Sequence, residues 1–144
     1  MLERMFDKGS MPALEAVVQF TSQRHKVIAN NIANVDTVKY KAQDVVVRDF
    51  EKAMAKAFDK QRESTDGTWK IEKCGTVMPL AGGLDFKVKE TDGAGILKHT
   101  ENNVDLDVEM GKLVQNSGLH SLAMTLLGQQ FSMIRSAINE RAMG

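Results

Sequence analysis

From Leu106 to Ile138 the chain repeats one pattern without a break. Leu106, Met110, Leu113, Ser117, His120, Met124, Leu127, Phe131, Ile134 and Ile138 alternate spacings of four and three. That is a mostly apolar heptad seam, and it predicts a single helix over roughly Asp105 to Arg141. Asn103 or Asp105 would cap its start. Asp107 and Glu109 suit the positive end of its dipole, and Arg141 lies near the negative end. No charged residue stands between Lys112 and Arg135. Gly111, Gly118, Thr125, Ser132 and Asn139 form a small flank beside the seam, and Leu119, Leu126 and Met133 a large one. A helix this apolar needs more than one neighbour to cover it. The uncharged run, 113–134, matches a bilayer in length. It contains Gln115, Asn116, Ser117, His120, Ser121, Gln129 and Gln130, so a protein-buried helix is expected instead.

A second seam opens the chain. Met11, Leu14, Val18, Thr21, His25, Ile28 and Ile32 recur at threes and fours, which predicts a helix from about Met11 to Asn34. Ser10 is a suitable N-cap and Pro12 fits the first turn. Asn34 to Thr37 should end it. Between the two seams, Val38 to Val47 has an extended character. Asp49 to Lys60 reads as a short amphipathic helix presenting Phe50, Ala53, Met54, Ala57 and Phe58. From Gln61 to Asn103 the helical period vanishes among glycines. Short strands near Trp69–Lys73 and Leu84–Lys89, or a flexible loop, fit equally. The expected fold is mainly α: long N- and C-terminal helices packed as an antiparallel coiled-coil hairpin, a short third helix, and a Gly-rich loop or small β-hairpin in the middle. The divisions fall at 1–37, 38–103 and 104–144.

Composition removes several function classes. Nineteen basic residues balance nineteen acidic ones, and without a basic stripe nucleic acid is not an expected partner. Near-zero charge makes association easy. The opening residues mix charges and lack an apolar core, unlike a cleavable signal peptide. Cys74 is the single cysteine and reads as a plain thiol. His25, His99 and His120 form no metal-ligand spacing. His25 and His120 instead suggest polar points on the seams. Asn103, Asp105, Asp107 and Glu109 alternate like a calcium loop, but Val114 occupies the place of the final glutamate. The glycine pairs lack the frame of a phosphate loop. No catalytic residue, cofactor or metal site is expected.

One hairpin of the two seams leaves the Leu119, Leu126 and Met133 flank uncovered. Each such side chain is worth about 1.5–3 kcal/mol on burial. Other copies or other chains are one source of cover. A middle segment folding back is the other. A self-contained helical interaction module, such as a secretion chaperone or dimeric coiled coil, is the alternative function.

The segment Ala29-Asn30-Asn31-Ile32-Ala33-Asn34-Val35-Asp36-Thr37 resembles the N-terminal signature of flagellar basal-body rod and hook proteins. The tail, Asn103 to Met110 and Phe131 to Ile138, is similar to the proximal rod subunits of that family. Where the family continues with Pro-Gly-Tyr-Lys-Ala, this chain has Val38-Lys39-Tyr40-Lys41-Ala42. A preset turn and a residue tolerant of positive φ are thereby lost. The resemblance implies a structural subunit of the rod crossing the periplasm. Such a subunit is exported by the flagellar type III apparatus and assembled into a helical tube that transmits torque. It implies as partners other copies of the chain, rod proteins of the FlgC, FlgF and FlgG types, the FliE adaptor, and the export gate. The residues assigned to assembly are Leu14, Val18, Ile28, Asn30, Asn31, Ile32 and Asn34 in the first helix. In the last helix they are Leu106, Met110, Leu113, Leu119, Leu126, Leu127, Phe131, Met133, Ile134 and Ile138.

Overall fold

The computed structural model describes residues 10–64, 67, 69–91 and 101–142, with the side chains of the last helix described through Asn139. The described residues form three helices and four short strands, in order α1 (Met11–Ala33), β1 (Gln43–Val45), α2 (Val47–Glu63), β2 (Val77–Leu80), β3 (Gly83–Phe86), β4 (Val88–Glu90) and α3 (Leu106–Ala142). The protein is mainly helical, with a small antiparallel strand region.

α1 is the axis of the fold, because two of its faces are buried. Ala13, Ala16, Phe20 and Val27 enter a core with Val45, Phe50, Ala53, Ala57, Trp69, Ile71, Val77 and Phe86. At its centre Phe20 stacks on Phe50 with ring centroids 4.2 Å apart, and Phe86 meets both edge-on. Stacked and edge-on pairs suit the ring quadrupoles. This second face of α1 is absent from the seam reading, which counted only the stripe through Thr21 and Ile28. The apolar spacing at 13, 16, 20 and 27 was its signal.

The described part of the middle segment is held by strand pairing. β2 pairs β3 antiparallel, from Val77 opposite Phe86 to Leu80 opposite Gly83, and β1 pairs β4 with Val45 opposite Val88. Trp69–Lys73, for which a strand and a flexible loop fitted equally, is irregular, and the adjoining Cys74 makes an isolated bridge with Val77. Its apolar members Trp69 and Ile71 plug the core instead. α2 begins at Val47, two residues before the expected start, and extends to Glu63. Phe58 lies outside its buried face and approaches Trp69 at 6.2 Å. The part of the expected loop at 92–100 lies outside the described residues.

The helix ends also differ in detail. The Ser10 side chain makes no cap bond; it accepts a hydrogen bond from Gln130 Nε2 across to α3. At the other end Asn34 caps its own helix, donating from Nδ2 to the Asn30 carbonyl at 2.8 Å. For α3 the cap is Asp105, whose Oδ1 accepts from the Asp107 N–H at 3.0 Å. Asn103 has another task. Its Oδ1 accepts from the Ala42 N–H and its Nδ2 donates to the Thr91 carbonyl, tying the ends of β1 and β4 together. Arg141 has no described side chain.

Lys39 answers the question raised by the missing Pro-Gly. It adopts φ +61°, the left-handed region, at the position where the resembled motif has glycine. A turn follows the signature, closed by the Tyr40 N–H to the Thr37 carbonyl, at the steric cost of a side chain in that region.

Candidate assembly surface

α1 and α3 lie side by side and run in opposite directions, as their cross-bonds show. Asn31 bonds to Glu109, Thr21 to Asn116 and His120, and Ser10 to Gln130. On α3 the face toward α1 holds Glu109, Leu113, Asn116, His120, Ala123, Leu127, Gln130 and Ile134, all buried or half-buried. These still alternate fours and threes, but only the Leu113, His120, Leu127 and Ile134 positions belong to the expected seam. The other half of the contact is Glu109, Asn116, Ala123 and Gln130, one residue away from Met110, Ser117, Met124 and Phe131. One residue is about 100° of helix rotation, so the seam faces a different direction from the one read.

The physical reason is the composition of the true contact. Ala123 is small enough for close approach, and its polar neighbours bond across to α1, although Asn116 Oδ1 is buried without a partner among the described residues. Asn116 Nδ2 donates to the Thr21 carbonyl at 2.8 Å. Thr21 Oγ1 and His120 Nδ1 lie 2.8 Å apart. An apolar-periodicity reading passes over such residues, although paired polar groups are tolerated in a buried contact. His25, expected on the seam, is exposed. It lines a cleft of about 420 Å³ with His120, Lys26 and three serines.

The consequence is a largely uncovered apolar helix. Leu106, Met110, Met124, Phe131 and Ile138 form one exposed row, and Leu119, Leu126 and Met133 another. Phe131 is 50 % exposed and Met133 63 %. The rows stand about 80° to either side of the contact with α1, from 100° per residue. Between them, on the outward side, a Cβ built at Gly111 or Gly118 would meet no atom within 4 Å. Among the described residues, the middle segment folds back onto α1 and leaves both rows open.

Of the α1 residues assigned to assembly, Ile28 and Asn31 are buried within the chain, Leu14, Val18, Ile32 and Asn34 are half-buried, and Asn30 is exposed. The signature is centred on Asn31. Its Nδ2 donates to Glu109 Oε2 at 2.8 Å and to the Gln43 carbonyl. Its Oδ1 accepts from the Gln43 N–H and the Tyr40 hydroxyl. Lys112 bridges Glu109 to Asp44, and Arg24 holds Asp44 through two bonds of 3.0 Å. Burial, together with the nearby charge of Glu109, raises the pKa of the Tyr40 hydroxyl. Glu109 reads in the sequence only as a charge suited to the helix dipole, and Lys112, Arg24 and Asp44 go unread, because each looks like an ordinary helix or loop charge until the chain brings them together.

Among the described residues no group of three His, Cys, Asp or Glu side chains is arranged to hold a metal, and no helix is long and apolar enough to cross a membrane.

A family profile described as flagella basal body rod protein matches residues 19–41, the stretch from α1 through the signature turn. This points to a class, the structural and non-enzymatic rod proteins of the flagellar basal body. Among curated relatives, the flagellar basal body rod protein FlgB of Borrelia hermsii is 35% identical over 119 residues, covering 81% of this chain and 86% of the relative. FlgB of Yersinia enterocolitica is 27% identical over 147 residues, covering 94% and 99%. FlgB of Salmonella typhimurium is 27% identical over 134 residues, covering 90% and 91%. The chain belongs to the FlgB family of flagellar basal body rod proteins.

Proposed function

We propose that this subunit enters a helical tube, the proximal rod, through its terminal helices, after export by the flagellar type III apparatus, and that the tube transmits torque. The observation that carries this reading is the pair of exposed apolar rows on α3. A single partner would cover one row and leave the other wet, so a helix wedged between two neighbours is the arrangement that removes both from water. A contact between unlike faces that does not close on itself propagates as a helical array. In such an array the α1–α3 pair packs as an antiparallel coiled-coil hairpin. Residues 1–37 and 104–144 are the assembly arms, and 38–103 form the body between them. The neighbours are other copies, rod proteins of the FlgC, FlgF and FlgG types and the FliE adaptor, with the export gate met on the way out.

The test is a charge placed on each row separately, Met133→Glu on one and Phe131→Glu on the other. Both residues are exposed in the isolated chain, so the thermal midpoint should stay within a few degrees of the parent. Incorporation into isolated basal bodies and swimming should be lost in each. Normal incorporation of both variants would refute the reading.

A further inference from the structure

We infer that the signature asparagine, Asn31, works within its own chain, and that Glu109 is its counterpart: a positioning pair that aims α3 and so sets where the apolar rows point. The inference rests on the assembly reading for its purpose, but its geometry stands in the isolated subunit. Glu109 is 2 % exposed, in the first turn of a helix that otherwise shows most of its large side chains to solvent. Both carboxylate oxygens are used. Oε2 accepts from Asn31 Nδ2 and Oε1 from Lys112 Nζ at 2.6 Å. Lys112 also reaches Asp44, which Arg24 of α1 grips. Three elements, α1, β1 and α3, are thus joined at one polar point. A buried carboxylate held by directional bonds from separate elements has few alternative orientations.

Beyond that point the contact with α1 continues through the Asn116–Thr21, Thr21–His120 and Gln130–Ser10 bonds. Toward the C-terminus of α3, Asn116, Ala123 and Leu127 are its buried members. These points tie α3 to α1 alone, so each restrains it from one side. At Glu109 the network also reaches β1 through Lys112 and Asp44, so α3 is held there by two elements and its orientation is fixed most firmly at that end. A small rotation there is magnified along a helix of 37 residues, about 55 Å at 1.5 Å per residue.

The test uses the full chain with Cys74→Ser and spin labels on cysteines at Glu15 and Gln129, both exposed. Pulsed dipolar spectroscopy should give one narrow distance in the parent. Glu109→Ala should broaden that distribution at least twofold, while the emission of Trp69, which reports the separate aromatic core, stays unchanged. Glu109→Gln keeps an oxygen to accept from Asn31 and should restore most of the narrowness. Asn31→Ala should broaden it as Glu109→Ala does. If the distribution remains narrow in Glu109→Ala with Trp69 emission unchanged, the positioning role is overturned. If Trp69 emission shifts with it in both Glu109→Ala and Glu109→Gln, the residue supports the whole fold and the inference fails. All arms are read on the isolated chain, so they stand or fall independently of incorporation into basal bodies.

Discussion

Asn102 is the side chain whose replacement should discriminate most sharply between shape and hydrogen bonding. It is fully buried. Its Nδ2 donates to three carbonyls at the end of the signature: Asn34 at 3.0 Å, Val35 at 3.1 Å and Thr37 at 2.8 Å. Its Oδ1 accepts from the Val104 N–H at 2.7 Å. Two donor hydrogens and one acceptor are therefore at work, each worth about 1 kcal/mol net, so Asn102→Ala should cost about 3 kcal/mol. Asn102→Asp conserves shape and the bond from Val104. It removes both donors and sets a buried negative charge against three carbonyl oxygens, which should cost about 4 kcal/mol or more at neutral pH. The order is then parent, Ala, Asp, against the order of side-chain similarity. Urea unfolding followed by helical circular dichroism measures it. With an m-value of about 2 kcal/mol/M, Asn102→Ala should lower the midpoint by about 1.5 M. Burial raises the folded-state pKa of the new carboxyl above its unfolded value. Its destabilisation therefore grows as pH rises above the unfolded pKa and shrinks in acid. An Asp variant as stable as the Ala variant at pH 7, or an Ala variant within 1 kcal/mol of the parent, would refute the assignment of those three carbonyls to this side chain.

Three further outcomes follow from local geometry. Lys39→Gly should stabilise the chain by about 0.5 kcal/mol, since relief of left-handed strain of about 1–2 kcal/mol exceeds the added unfolded-state entropy; the urea midpoint reads it, and a lowered midpoint would contradict the φ of +61°. Gly75→Ala should cost about 2–3 kcal/mol by the same assay, because φ there is +55° and a new Cβ would sit 2.2 Å from Asp49 Oδ2, which left-handed strain and a displaced hydrogen-bonded carboxylate both make costly. The Asp49 carboxyl is held below the usual carboxylate range by the Thr76 backbone N–H and then its hydroxyl. Its folded pKa is depressed, so its contribution is present above the ordinary carboxylate value and is lost as pH falls below about 4. Asp49→Asn should flatten the fall in thermal midpoint between about pH 5 and 2, and an unchanged acid limb would count against the cap.

Much of this protein was legible as sequence. Threes and fours located α1 and α3, Phe50, Ala53 and Ala57 located α2, and the signature ending at Thr37 pointed to the family. These signals are local, since periodicity and capping depend on residues within one or two turns of each other. Which direction α3 faces was not local. Met110 and Phe131 outrank Glu109 and Asn116 in hydrophobicity, yet the contact with α1 uses the polar pair, because α1 offers a carbonyl at Thr21 and an amide at Asn31 to meet them. Only the folded chain reveals that complement, and with it the second face of α1, which exists because Phe50 and Phe86 come from distant segments to meet Phe20. Sequence alone determined that two apolar helices would need company. Tertiary structure decided which of their faces are satisfied at home, because hydrogen-bond partners far apart in the chain become visible only once they are near in space.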